Sequence, residues 1–272
     1  MVKILKASGK IVQFDTKKLR RSLKKAGASK MHIDEIANEV TKKLYPEITT
    51  HSIYQMAFRA LREKSRILAA KYKLKKALLN LGDSGYPFEK YFAELMKNAG
   101  YKTKNNQIIH GCCINHEVDV VLRNIHNNIF VECKYHMRQG VKSDVTVALY
   151  ISARFLDIKN NLKNSSQTKF EGWLVTNTRF TKEAMKYAKC AKLKLISWDY
   201  PKVGNLKEII ENSGLYPITC ISNLTKREVF ELTKKNIILC KSLNDNPNIL
   251  NKLRIQESRK QSILEQCKKL CI

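Results

Sequence analysis

"EVDVVLRNIHNNIFVECKYH", residues 117–136, decides how this 272-residue chain is read. It holds two runs of apolar, largely β-branched residues, with Glu117 and Asp119 set into the first and Glu132 and Lys134 into the second. Side chains alternate along a strand. Glu117 and Asp119 are therefore expected on one face with Val118, Val120 and Leu122 on the other, and Glu132 and Lys134 opposite Val131, Cys133 and Tyr135. If the runs form a hairpin about Ile125-His126, paired residue numbers sum to 251, which sets Asp119 across from Glu132 and Glu117 across from Lys134. "NIHNN" is not a strong two-residue turn signature, and a slip of one residue would send the acids to opposite faces. The register is thus the expectation on which the site depends.

Two facing carboxylates beside an ammonium suit one chemistry. The oxygens can hold a hard divalent ion, and the cation can activate water or neutralise charge on a phosphoryl group. A surface hairpin with cross-strand salt bridges would carry the same residues. Three features weigh against that: Val118, Val120 and Val131 read as central strand, Glu132-Cys133-Lys134 is the only Glu-x-Lys among sixteen glutamates, and the neighbouring elements come in a suitable order.

Outward from this stretch, residues 87–99 read as an amphipathic helix ended by Gly100, followed by strands in "QIIHG", "HEVDVVLRN" and "NIFVECKY". A helix from about Asp144 to Ile158 comes next, then strands "GWLVTN" and "LKLISW" around the helix "TKEAMKYAKCAK". The α-β-β-β-α-β-α-β order implies a mixed sheet flanked by helices. Before it, "VKILKASGKIVQF" reads as a hairpin turning at Ser8-Gly9. Helices are expected from Asp15 or Thr16 to Lys25, over "HIDEIANEVTKKL", and from Thr50 to Ile67. The breaker cluster Leu81-Gly82-Asp83-Ser84-Gly85-Tyr86-Pro87 marks a domain boundary, giving domains at 1–82, 83–204 and a helical 205–272. The fold class is α/β, α+β overall: a hairpin-plus-helical-bundle, a mixed sheet flanked by helices, and a small helical tail.

Lysine and arginine total 51 against 24 acids, a net charge of +27. Residues 1–80 carry 20 basic and 6 acidic side chains, a local excess of +14. Such an excess favours a polyanionic partner, nucleic acid first. The apolar runs are short and charge-interrupted, so no membrane span is expected and the cytoplasm is the default compartment. The eight cysteines form no CxxC pair and read as reduced thiols. His110, Cys112, Cys113 and His116 lie close in sequence, but strand geometry is expected to scatter them rather than gather them on zinc.

Asp119, twelve intervening residues, and then Glu132-Cys133-Lys134 resembles the D…(D/E)xK signature of the restriction-endonuclease-like superfamily. "HEVDVV…IFVECKYH" is similar to its Mrr-like branch, over about residues 85–200. The resemblance implies that Asp119 and Glu132, with the Cys133 carbonyl, hold Mg²⁺ or Mn²⁺ and that Lys134 orients or activates the attacking water. Glu89 matches an acidic position on the leading helix that helps hold metal. His136, Arg138 and Lys142 are candidate DNA contacts, as are Arg154 and Arg179, each with ordinary surface charge as the competing reading.

"VKILKASGKIVQFDTKKLRRSLKKAG", with "ITTHSIYQM" and "AAKYKLKKAL" behind it, resembles the ATP-cone, a nucleotide-sensing module. This implies that Lys6 and Lys18 contact phosphates, Leu19 packs on the base and Thr50 hydrogen-bonds. Ala7 stands where that family carries an arginine. A basic helical DNA-binding domain without nucleotide is the competing reading. Lys226, Arg227, Lys234 and Lys235 in the tail would grip backbone phosphates, or the tail would pack on the sheet domain or on a dimer partner.

The expected function is a Mg²⁺- or Mn²⁺-dependent DNA endonuclease regulated by ATP or dATP, with a homodimer kept as a candidate state. The alternatives are a non-catalytic nucleotide-responsive DNA-binding regulator and a branched-DNA resolvase.

Overall fold

The structure, a computed structural model, describes residues 2–6, 8–162 and 169–271; Ala7 lies outside them. The chain opens with β1 (Lys3–Leu5) and β2 (Ile11–Gln13), joined through Gly9 at φ +76°, where glycine carries no steric cost. α1 (Thr16–Lys25) is capped by Asp15 and α2 (Lys30–Lys42) by Ser29. β3 (Ile48–Thr49) joins β1 in parallel, completing a β2-β1-β3 sheet.

The single helix expected from Thr50 to Ile67 is two helices. α3 (Thr50–Lys64) starts at Thr50 as expected, with Thr49 as its cap, and α4 (Arg66–Leu79) follows at once. Ser65, in extended conformation, ends the first, and its side chain accepts from Leu68 N to cap the second. A serine hydroxyl that can satisfy free helix donors makes that break inexpensive. Ile4, Leu23, Ile36, Val40 and Leu61 form the core of this first unit.

α5 (Tyr86–Asn98) carries Pro87 in its first turn. Then come β4 (Lys102–His110), β5 (Asn115–Arg123), β6 (Asn127–Lys134), β7 (Lys142–Ser143), α6 (Val145–Leu162), β8 (Lys169–Thr176), β9 (Arg179–Phe180), α7 (Lys182–Cys190) and β10 (Lys194–Ile196). The sheet order is β10-β8-β6-β5-β4, with β4, β5 and β6 antiparallel and β8 and β10 parallel to β6. Helix α5 covers one face, where Phe88 and Phe92 meet Val120, Leu122 and Val131. Helices α6 and α7 cover the other, where Ala148, Ile151 and Ala184 meet Val121, Phe130 and Leu174.

The last segment comprises α8 (Leu206–Ser213), a 3₁₀ turn at Ile218–Cys220, α9 (Lys226–Lys234), α10 (Cys240–Asp245), α11 (Ile249–Lys252) and α12 (Glu257–Leu270). Thr225 and Glu228 form a capping box on α9. Ile218, Cys220, Leu232, Leu250 and Ile263 share one core with Leu74 and Leu78 of α4 and Phe88 of α5. Tyr91 Oη also donates to Leu215 O at 2.7 Å. The tail thus closes the α5 side of the molecule instead of standing free. Cys133, Cys220, Cys240 and Cys267 are buried as free thiols, behaving as small apolar side chains.

Helix α4 also ends against the sheet strand that matters most. Tyr135, one residue beyond β6, donates to Leu79 O at 3.0 Å and accepts from Leu81 N at 3.1 Å. Asn177 Nδ2 reaches His136 O at 2.8 Å and Leu78 O at 3.5 Å. Tyr135→Phe would strand the Leu81 amide, and urea titration is expected to show a loss of about 1–3 kcal/mol of unfolding free energy. Among the described residues no helix is long and apolar enough to cross a membrane.

Candidate active site

Strands β5 and β6 pair Val120↔Val131, Val121↔Phe130, Leu122↔Ile129 and Arg123↔Asn128, the register that sums to 251. The ladder stops there. Beyond it the Asp119 carboxylate reaches across, and its Oδ2 accepts the Cys133 N–H at 2.7 Å.

The expected strict alternation along β5 does not hold. Val120 and Leu122 face the α5 core, whereas Val118 packs with Phe130, Leu174 and the α6 residues, so the strand changes phase at Asp119. On β4 the pairing runs Asn105↔Val120 and then Gln107↔Val118, leaving out Asn106, which sits at φ +48°. This paired irregularity frees Asp119 from the ladder. Asn106 Nδ2 then lies 3.5 Å from Glu89 Oε2 and 3.4 Å from Glu117 Oε1, at the long end of hydrogen bonding. Asn106 lies outside every motif that the sequence offers. Its signal was an Asn-Asn pair inside a strand, since Asn is poor in strands but tolerates the left-handed region.

Glu132 Oε2 accepts from Arg154 Nη1 at 2.6 Å, with side-chain exposures of 18% and 16%. Arg154 Nη1 also donates to Glu117 O at 3.1 Å, and its Nη2 donates to Tyr150 Oη at 3.0 Å. Arg154, expected as a loose phosphate contact, instead comes from α6 into the acid cluster. Lys134 ends β6 with its side chain exposed.

The electrostatics follow from crowding acids in a half-buried place. Burial, and next the charge on Asp119, push Glu89 and Glu132 up to about 7, against the pull of Arg154 and Lys134 on Glu132. Asp119 is raised by burial as well, and the Cys133 N–H opposes it. These acids bind protons more tightly folded than unfolded. Their contribution to stability is therefore present below the unfolded carboxylate range, about 4.3, and lost as pH rises through about 7. Thermal melts of metal-free protein are expected to fall between about pH 5 and about pH 7, with millimolar Mg²⁺ raising the midpoint more at the upper end because ligands must be deprotonated. A pH-independent Mg²⁺ shift would contradict this.

The donors here are all oxygen: the carboxylates of Asp119, Glu132 and Glu89 and the Cys133 carbonyl. That set, with its mutual repulsion, fits a hard divalent cation such as Mg²⁺ or Mn²⁺. Among the described residues, the one group of three side chains with ligand atoms all within 4.8 Å of one another lies elsewhere, at Cys112, Cys113 and Asp157. There Asp157 accepts from Cys113 N, Ile114 N and His116 Nε2, and these bonds, that from His116 first, hold its carboxyl down to about 2. It clamps the β4–β5 loop. His110 turns away to Asn115.

The remaining candidates are dispersed. His136 is half-buried, with Nε2 3.0 Å from Ser143 Oγ, and burial and then Lys134 lower its pKa. Arg138 and Lys142 are exposed, and Arg179 forks onto Asp199. Lys6 is exposed at the hairpin, and Lys18 is exposed and 3.5 Å from Asp15. Leu19, expected against a base, is 6% exposed in the helical core, its side chain taken up by packing on that core. Thr50, the first residue of α3, lines a cavity with Ser22 and Lys25.

Residues 2–78 match the ATP cone domain family, residues 83–202 the restriction endonuclease family of Mrr catalytic type, and residues 216–271 the AF1548-like C-terminal family. An uncharacterized protein of Archaeoglobus fulgidus is 31% identical over 179 residues, covering 65% of this chain and 98% of that one. The crystal structure of the protein of unknown function AF1548 is similar at 30% identity and a TM-score of 0.57, covering 69% of this chain and 98% of the other. MspJI restriction endonuclease in complex with a 27-mer oligonucleotide matches at 13% identity and a TM-score of 0.28, over 69% of this chain and 44% of that one, a likeness too remote to carry weight. The chain therefore belongs to the family of the Archaeoglobus fulgidus protein, here as an ATP-cone domain fused to an Mrr-type restriction endonuclease domain and an AF1548-like C-terminal domain.

Proposed function

We propose that the chain is a metal-dependent DNA endonuclease whose activity is adjusted by ATP or dATP at the amino-terminal domain. One observation carries the reading: at the splayed end of β5 and β6, Asp119 binds the backbone of Cys133 and shares with Glu132 and Lys134 a single electrostatic neighbourhood. Asp119, Glu132, the Cys133 carbonyl and Glu89 would hold the ion. When bound, Mg²⁺ or Mn²⁺ supplies Lewis-acid polarisation of the phosphate. The exposed ammonium of Lys134 orients water and neutralises charge developing on phosphate oxygens. Arg154 would pass from Glu132 to a phosphate once an ion shares that carboxylate. The high positive charge supports a polyanionic substrate.

The same ion pair favours a second reading, a nucleotide-responsive DNA-binding regulator without catalysis, because Arg154 already neutralises Glu132. The test crosses Mg²⁺ and Mn²⁺ with ATP and dATP on supercoiled, single-stranded and branched DNA, using full-length protein. Cleavage that needs the ion and changes with nucleotide supports the first reading, and preference for branched DNA would mark a resolvase. Tight DNA binding with no cleavage under any condition supports the second. Sedimentation of the same samples reports whether the protein is a homodimer.

A further inference from the structure

The β4–β5 loop and α6 bring together side chains of a different chemistry from the acid cluster. Cys112 and Cys113 on the loop and Asp157 on α6 hold their ligand atoms within 4.8 Å of one another, with both thiols exposed. Sequence spacing predicted scatter for His110, Cys112, Cys113 and His116; the loop instead sets both cysteines against α6. His116 stands behind the carboxylate, its Nε2 2.7 Å from Asp157 Oδ2, with side-chain exposures of 10% and 13%. The loop is shaped for this approach. Cys112 N donates to Asp157 O at 3.2 Å, Cys113 N to its Oδ1 at 2.8 Å and Ile114 N to its Oδ2 at 3.3 Å. Asn161, one turn further along α6, donates to His110 O at 3.0 Å. A Cβ at Gly111 would overlap the Asp157 carboxylate and stand 2.6 Å from Ile114 O, so the loop and helix meet this closely only over a glycine. A carboxylate offers about four acceptor positions. Two amides and His116 take three of them, and the Cys113 thiol takes the fourth. The proton of that thiol is what a thiophilic cation would replace.

We infer that Cys112, Cys113 and Asp157 form a Zn²⁺ site, with water in the exposed fourth position and His116 holding the carboxylate in place. Two thiolates and a carboxylate are ligands that tetrahedral Zn²⁺ accepts, whereas Mg²⁺ and Mn²⁺ favour the all-oxygen donors of the acid cluster. The two centres therefore select different ions. Binding releases the two thiol protons, and the ion joins the β4–β5 loop to α6, so its binding free energy adds to the stability of that junction. Arg154 precedes Asp157 by three residues and lies on the neighbouring turn of the same helix. It donates to Glu132 and to Glu117 O. The ion thus fastens the helix that carries a guanidinium into the acid cluster. The site does not depend on whether that cluster cuts DNA.

The experiment titrates Co²⁺, as a spectroscopic substitute for Zn²⁺, into reduced, metal-stripped full-length protein, for the wild type and for the double variant Cys112→Ser, Cys113→Ser. Both side chains are exposed and serine is close to cysteine in size, so the fold is retained, and equal melting temperatures of the two metal-free proteins check this. The wild type is expected to show a thiolate-to-Co²⁺ charge-transfer band in the near ultraviolet that saturates at one equivalent and that added Zn²⁺ abolishes. An all-oxygen site gives no such band, so an ion in the acid cluster cannot mimic it. The double variant is expected to lose the band. X-ray absorption of the Zn²⁺-loaded wild type is a readout free of mutation, with two sulfur ligands expected at about 2.3 Å. Absence of the band in the wild type, its persistence in the double variant, or a zinc shell of nitrogen and oxygen alone would each overturn the site.

Discussion

Lys134→Ala is expected to lower DNA cleavage by about 10²–10³-fold, the usual cost of removing one group that stabilises charge in the transition state. The fold should not suffer. Lys134 is exposed at the end of β6, and among the described residues its side chain forms no hydrogen bond or ion pair, so its contribution to stability is small. Its charge does act on Asp119 and Glu132, favouring their ionised forms. The variant should therefore keep its melting temperature, bind nucleotide as before and lose cleavage. Retained cleavage would remove Lys134 from the reaction, and a regulator would keep its DNA affinity and nucleotide response in this variant.

Asp119 answers a different question because it has two duties. Its carboxylate accepts the Cys133 N–H where the β5–β6 ladder stops, and its charge raises Glu89 and Glu132. Asp119→Asn keeps a side-chain carbonyl for the amide and removes the charge. Asp119→Ala removes both. The asparagine variant is expected to be more stable than the alanine variant by about 1 kcal/mol, the worth of one such hydrogen bond, in urea titrations at neutral pH. The Glu89 and Glu132 titrations should move to lower pH in both variants, so the fall in melting temperature with rising pH becomes smaller and ends at lower pH. Both should lose Mg²⁺-dependent stabilisation and cleavage together. An asparagine variant that still cuts DNA with wild-type metal dependence would show that the ion sits elsewhere.

Much of this was legible from local pattern. The sum-251 register followed from two apolar runs of equal phase about Ile125-His126, and Asp15 announces the helix that it caps. What local pattern could not give is the break of phase at Asp119. A period-two rule assumes an unbroken ladder, and the irregularity arises from Asn106 on the next strand. Arg154 was visible as a basic residue, but its bond to Glu132 depends on how α6 lies across β5 and β6. Leu19 reads equally well as a base platform or a core residue, and the packing of α1 settles its 6% exposure. The apolar residues of the tail are spaced like those of any small helical unit, so packing on the sheet domain and packing on a dimer partner read alike in the sequence. Only in three dimensions do Ile218 and Leu232 join Leu74 and Phe88.

The most direct test of the central claim is where a divalent ion binds. In crystals of the full chain soaked with Mn²⁺, the account predicts anomalous density within about 2.0–2.6 Å of carboxylate oxygens of Asp119 and Glu132 and of the Cys133 carbonyl, the range for hard-ion oxygen ligands. Density that appears instead at Cys112, Cys113 and Asp157, or no density near Asp119 at saturating Mn²⁺, would contradict it.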